Sequence, residues 1–127
     1  VQVVPGGFVL PPTPPPDIDL PQWFRSLEAI EAWHPRSLVM THFGVTNDVP
    51  AHLAELRDHL RLCEQLATEA LEAPGDDAAR EGRFLDTLRL ALSRRMTEAD
   101  LRGYEMAGRF DLNWRGLHRY LTRRRGA

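Results

Sequence analysis

The chain has 127 residues and a formal net charge of −2; 43% of its residues are hydrophobic and 27% are charged. These values are typical of one globular domain and argue against a protein that binds nucleic acid through bulk positive charge. No run of about 20 apolar residues exists, which excludes a transmembrane helix, and no secretory signal is visible. The single cysteine, Cys63, excludes an internal disulfide and a cysteine-based zinc knuckle. It fits a reducing compartment, so we expect a cytoplasmic protein.

Residues 1–21 hold most of the prolines of the chain. The short apolar pieces Val1–Val4 and Phe8–Leu10 are candidates for two strands joined by a turn at Pro5-Gly6-Gly7. Pro11–Pro16 must be extended, because proline fixes φ and restrains the residue before it. A plain linker is the alternative, but a linker rarely carries Phe8, Val9 and Leu10 together, so we expect this segment to pack against the rest of the protein.

A helix and a strand are predicted next. Asp19 is a good N-cap, and apolar residues then recur at helical spacing from Leu20 to Trp33, before His34-Pro35 ends the helix. The unbroken apolar run Leu38-Val39-Met40 predicts a strand buried on both faces, as in a sheet that helices cover.

The rest of the chain is predicted to be helical. Asn47 or Asp48 caps a long helix that runs to about Glu72, and its apolar residues follow a 4-3-4-3 spacing. That heptad seam predicts that the helix packs along another helix. Further helices are predicted at about Asp77 to Arg95, Thr97 to Gly108 and Leu112 to Arg124.

The predicted fold class is therefore α/β (α+β), mostly helical with one to three short strands. So few strands cannot form a stable sheet alone. Because the first methionine is Met40, we also expect that this sequence was cut from a longer chain whose preceding part supplies the other strands.

His42 is the leading candidate for chemistry. It follows the predicted strand directly, in Thr41-His42-Phe43-Gly44, and side chains at the carboxyl end of a strand face the crevice where α/β proteins bind ligands. A neutral imidazole in such a crevice binds zinc or iron, or carries protons. The alternative is a histidine that is hydrogen-bonded within a turn.

His52, Glu55 and His59 form a second group, because their spacing places them on one face of the long helix. Seven residues separate the two histidines by about 10 Å along the axis, too far to share one ion. We therefore expect a solvated polar face opposite the heptad seam. His52 follows Asp48 by one turn and begins the helix after His42, so it is also a candidate neighbour of the same crevice.

Other residues are weaker candidates. Cys63 lies on the heptad seam and is expected to be a small core residue. Ser26 has no placed base, and Pro5-Gly6-Gly7 lacks the lysine and the spacing of a phosphate loop. A cluster of arginines near the C-terminus is expected to interact with the helix dipole and to aid solubility, with binding of RNA as the alternative: Arg115, Arg119, Arg123, Arg124 and Arg125.

One ordered series of residues is more specific than any single motif. It runs through Pro14-Pro15-Pro16-Asp17-Ile18-Asp19-Leu20, Trp23, Ser26-Leu27, Ile30, Pro35, Thr41-His42-Phe43-Gly44, Asp48 and His52-Leu53. This series resembles the C-terminal part of metallo-β-lactamase-fold metallo-hydrolases, in a bacterial subgroup with a helical extension. The C-terminal residues Asp111-Leu112-Asn113, Gly116-Leu117 and Arg119-Tyr120-Leu121 also resemble that subgroup.

The resemblance implies an αββα sandwich with one or two metal ions, usually zinc, at one edge. Residues 1–47 would be the last strands and helix of that domain, and residues 48–127 a helical extension. His42 matches the last metal-ligand histidine of the family. Asp48 and His52 match positions that are common in the subgroup, without an assigned role. With Thr41, they are candidates to line the site or to hydrogen-bond to a metal ligand.

The family's His-x-His-x-Asp-His motif and the aspartate that bridges its two metals are absent from these residues. A catalytic zinc needs about three protein ligands. The resemblance therefore predicts the C-terminal part of a zinc-dependent hydrolase that is inactive, and retains no metal, as the 127-residue chain. Its partners would be the preceding half and a small-molecule substrate, with a homo-oligomer through the helices as an option and neither membrane nor nucleic acid expected. The alternative is a non-catalytic helical module for interaction or oligomerisation.

Overall fold

The computed structural model describes residues 1–41 and 43–126. The described chain consists of an N-terminal segment without regular structure, five helices and one two-stranded antiparallel sheet. None of the described helices is both long and apolar enough to cross a membrane. The elements in chain order are α1 (Leu20–Ala32), β1 (Leu38–Met40), β2 (Gly44–Thr46), α2 (Val49–Glu72), α3 (Asp77–Ser93), α4 (Glu98–Gly108) and α5 (Phe110–Gly126).

Side-chain caps set the starts of the helices, largely as the sequence predicts. The Asp19 carboxylate accepts a hydrogen bond from the backbone N–H of Gln22 at 2.8 Å, and Asp48, not Asn47, accepts from the N–H of Ala51 at 3.3 Å. Thr97 caps α4 in the same way. Each cap satisfies one of the N–H groups that the first turn of a helix leaves without a partner.

Helix α2 is the centre of the packing, and it contacts α1, α3 and α5. The predicted heptad seam is confirmed, because these contacts bury its apolar side. Leu56 on the same side is half-buried. The fully buried hydrophobic residues of α2 are Val49, Leu53, Leu60, Cys63, Ala67 and Ala70.

Residues 1–13, here called the N-terminal strap, lie against the helices. The predicted packing is confirmed, since Phe8, Val9 and Leu10 are buried. The predicted turn is also present, because the N–H of Gly7 donates to the carbonyl of Val4 at 2.9 Å. The two predicted strands are not formed. Helix side chains bond to the backbone of this segment in place of a strand ladder.

The prediction that Leu38–Met40 is buried on both faces is wrong. Among the described residues, β1 pairs only with β2, with Val39 opposite Val45, and Val39 is 80% exposed. Leu38 and Met40 point to the other face and are half-buried against the helices. An apolar run is compatible with two covered faces, but here no described element covers the outer face of the hairpin.

The strap lies close to α5 at Gly116. A Cβ atom at this position would lie 1.9 Å from the backbone oxygen of Thr13, so only glycine fits. By contrast, a Cβ atom at Gly82 in α3 would meet nothing within 4 Å. The absence of a side chain at Gly116 is thus what lets the strap lie directly on the helix.

We expect Gly116→Ala to lower the free energy of unfolding by about 1–3 kcal/mol, the usual cost of overpacking. The matched control Gly82→Ala should raise it by up to about 1 kcal/mol, because alanine is the better helix former. Urea unfolding followed by circular dichroism measures both. Equal stabilisation by the two substitutions would show that the strap does not lie on α5.

Candidate functional site

A groove of about 390 Å³ lies between α1, the hairpin, the first turns of α2 and the strap. Thr41 and Phe43, the neighbours of His42 in the chain, both line it, and so does His52. His42 itself lies outside the described residues. The rest of the lining is apolar: Val1, Val9, Pro12, Trp23, Leu27, Ile30, Leu38, Val39, Met40, Leu53 and Leu56. An apolar groove with a few polar groups is the usual form of a binding site for a small molecule.

The structure brings together two of the four residues predicted for the site, Thr41 and His52. Asp48 is not part of the groove lining. Its carboxylate caps α2, the helix that carries His52 in its first turns. Asp48 therefore positions the helix start and leaves the groove surface to other residues.

His52 is buried, with only 8% of its surface exposed. Burial lowers the pKa of His52, and the charge of the Val1 amino group lowers it further, while Glu55 acts in the opposite direction. The imidazole is therefore held neutral at physiological pH. A neutral ring keeps one nitrogen lone pair available to accept a hydrogen bond or to bind a metal.

His59 is buried as well, so the predicted solvated face is wrong for both histidines. Its Nδ1 lies 2.8 Å from the carbonyl oxygen of Val9, and its Nε2 lies 3.0 Å from Nη1 of Arg95. The ring of Phe8 stacks on it with centroids 3.8 Å apart. The strap covers this second face of α2, which helical periodicity cannot reveal because the strap is about fifty residues away in sequence.

Glu55 remains exposed, and the three residues do not converge. His52 lines the groove, whereas Glu55 and His59 line a separate open cleft of about 520 Å³ on the other side of the strap. Asp58 and Arg95 also line this cleft. Within residues 1–41 and 43–126, no group of three or more histidine, cysteine, aspartate or glutamate side chains is placed to hold a metal ion.

The weaker candidates behave as structural residues. Cys63 is fully buried on the seam of α2, and burial raises the pKa of its thiol to about 12. The hydroxyl of Ser26 donates to the carbonyl of Gln22 within its own helix, at 2.9 Å. Neither group is activated as a nucleophile, which requires a lowered pKa or an adjacent base.

Several C-terminal arginines pair with carboxylates of other segments. Arg125 lies 2.7 Å from Glu72, and Arg123 lies 3.4 Å from Asp17. Arg124 lies 3.5 Å from Glu64. These exposed pairs link the end of α5 to α2 and to the segment before α1. They neutralise part of the positive charge that an RNA-binding surface would need.

Three polar residues that hold the strap are not among those that the sequence pattern indicates. They are Arg95, Tyr104 and Asn113, and each contacts the strap or the histidine bound to it. The available signal was weak: Tyr104 follows Leu101 by one turn on the buried side of α4. Asn113 is a polar residue on the buried side of α5. Neither pattern indicates a partner about 100 residues away in sequence.

Comparison with known protein families, with curated proteins and with solved structures finds no match for this chain.

The burial of Cys63 predicts slow chemistry at its thiol. Because the thiolate is the reactive form and the pKa is raised to about 12, labelling of the native chain by a disulfide reagent near pH 8 should be far slower than labelling in denaturant. Absorbance of the released thiol measures both rates. Similar rates in the two conditions would show that this part of α2 opens readily.

Proposed function

We propose that this chain is the C-terminal part of a metal-dependent hydrolase of the metallo-β-lactamase fold, located in the cytoplasm. The ordered series from Pro14 to Leu53, with Thr41-His42-Phe43-Gly44 at its centre, carries the proposal. The substrate would be a small molecule with an ester, thioester, amide or phosphodiester bond. When bound, zinc would lower the pKa of a water molecule so that it attacks that bond.

The described residues do not form such a metal site by themselves. A catalytic zinc takes about three protein ligands, and residues 1–41 and 43–126 offer no group of three. In the proposal, His42 supplies one ligand and the preceding half of the protein supplies the others. The 127-residue chain alone would then be inactive and hold no zinc.

The position of the groove supports the assignment of His42. Thr41 and Phe43, the neighbours of the proposed ligand in the chain, both line the groove. His52 adds a neutral imidazole to the same surface, where it could hydrogen-bond to a metal ligand or to the substrate. Thr41 is exposed at the end of β1 and adds a hydroxyl group.

The exposed hairpin supports the expectation that further strands come from elsewhere. Val39 and Val45 lie directly opposite each other on the outer face, 80% and 61% exposed. A two-stranded sheet with one uncovered apolar face is marginal in water. Additional strands would enlarge the sheet, and a covering layer would bury its apolar face, as in a sandwich fold.

The test requires the longer reading frame that contains this sequence. We expect that frame to encode His-x-His-x-Asp-His, a further histidine and an aspartate before Val1. The purified protein should contain zinc, measured by elemental analysis, and His42→Ala should lose most of the metal and the hydrolytic activity on ester, thioester and phosphodiester probes.

The matched control is His34→Asn, because His34 is exposed and asparagine tolerates its positive φ of 47°. This variant should keep its metal and activity. Undiminished metal and activity in His42→Ala would overturn the assignment of His42. A frame without the upstream motif would overturn the proposal as a whole.

The second candidate is a non-catalytic interaction module. The apolar outer face of the hairpin favours it, since exposed apolar patches mark interaction sites. The seam of α2 packs against helices of its own chain, so the hairpin is the better contact surface. Light scattering of the isolated chain tests this: a folded oligomer that Val39→Asp converts to a monomer, without dependence on metal, would favour this module.

A further inference from the structure

Three helices each contribute one polar side chain to the backbone of the N-terminal strap. His59 of α2 bonds to the carbonyl of Val9, and the hydroxyl of Tyr104 in α4 donates to the carbonyl of Phe8 at 2.6 Å. The side-chain oxygen of Asn113 in α5 accepts from the N–H of Thr13 at 2.9 Å. Of the three bonding groups, only His59 changes its charge near neutral pH.

The hydrogen bonds of His59 determine where a proton can be added. A carbonyl oxygen can only accept, so Nδ1 of His59 carries the hydrogen and donates it to Val9. Nε2 is then the basic nitrogen, and in the neutral ring it accepts from Nη1 of Arg95 at 3.0 Å. A guanidinium can only donate.

Protonation of Nε2 therefore replaces an attraction with a repulsion. The added N–H would point at the guanidinium of Arg95 and place two positive charges in contact. Arg95 would have to withdraw, and it would leave the ring of Phe8, over which it lies at 5.4 Å. The strap thus loses the contact between Arg95 and Phe8.

Other charged groups surround this pair. Glu55 and Asp58 of α2 line the cleft beside His59 and would stabilise an imidazolium. Asp100 of α4 lines a neighbouring pocket together with Arg95. On the far side of the strap, the amino group of Val1 donates to the carbonyl of Leu10 at 2.6 Å, and His52 lines the groove.

We propose that His59 and Arg95 form a pH-operated latch, which holds the N-terminal strap on the helices while His59 is neutral and releases it on acidification. The latch is independent of the hydrolase proposal, because it uses only residues of this chain and none of the residues assigned to the metal site.

The direction of the pH dependence follows from the environment of the His59 ring. Burial lowers the pKa of His59 below its ordinary value of 6.5, and the charge of Arg95 lowers it further, while the bond to Val9 and the carboxylates of Glu55 and Asp58 raise it in part. The docked form therefore binds the proton less readily than the released form. Docking is strongest above pH 6.5 and weakens as the pH falls from there toward the lowered pKa.

Hydrogen exchange of the strap measures the release directly. The amides of Leu10 and Thr13 are bonded to Val1 and Asn113, so their exchange reports opening of the strap, and Leu88 in α3 is the internal reference. After correction for intrinsic rates, we expect protection of the two strap amides to fall at least about threefold more than that of Leu88 between about pH 7.5 and pH 5.

Two variants distinguish release of the strap by titration of His59 from a weakening of strap docking that does not depend on pH. His59→Asn retains an amide N–H that can donate to Val9 but does not titrate, so the extra fall in protection should shrink to the part that Val1 and His52 contribute. Tyr104→Phe removes one strap bond without a titrating group, so it should lower protection at both pH values and keep the pH dependence. Contributions of Val1 and His52 persist in both variants and do not affect the comparison.

An equal pH dependence in the wild-type chain and in His59→Asn would overturn the latch. If the strap of His59→Asn is not docked even near pH 7.5, an NMR titration of His59 tests the proposal instead. The titration compares the wild-type chain with Arg95→Gln. The latch requires that Arg95→Gln raise the pKa of His59, and an unchanged value would overturn it.

Discussion

The structure depends on how the backbone N–H and C=O groups of the buried N-terminal strap find hydrogen-bond partners. Phe8, Val9 and Leu10 are buried among helices, and a buried backbone polar group without a partner costs as much as a lost hydrogen bond. Leu10 pairs with the backbone of Val1, whereas the carbonyls of Phe8 and Val9 have no strand ladder and bond to side chains. Helices α2, α4 and α5 each supply one, and this requirement explains why polar groups such as His59 and Asn113 lie inside the helical core.

The strap also separates two surfaces with different chemistry. On one side, the apolar groove adjoins Thr41, Phe43 and His52, and in our proposal it belongs to the site of a hydrolase. On the other side, the polar cleft holds the pair His59 and Arg95. Release of the strap would alter both surfaces, because Val9 lines the groove and Phe8 lines the cleft. Movement of the strap would therefore change the lining of the groove.

Much of the secondary structure could be predicted from local patterns. The starts of α1, α2 and α4 follow from Asp19, Asp48 and Thr97, because a cap acts within one turn. The seam of α2 follows from its heptad spacing. The candidate site was predictable only in part: Thr41 and His52 share the groove, whereas Asp48 serves as a cap. The burial of the two histidines was not predictable, since periodicity describes one face of a helix and not what lies on the other.

The sequence by itself determined the helices, their caps, the turn at Pro5-Gly6-Gly7 and the side of α2 that faces other helices. These features depend on interactions between residues at most a few turns apart, which a linear pattern records. Tertiary structure alone decided that the strap lies across α2, α4 and α5, that Gly116 is where its backbone fits, and that Val39 faces outward. The first two outcomes depend on contacts between residues about 50 to 100 positions apart, for which the chain carries no local signal. The third depends on which elements pack beside the hairpin.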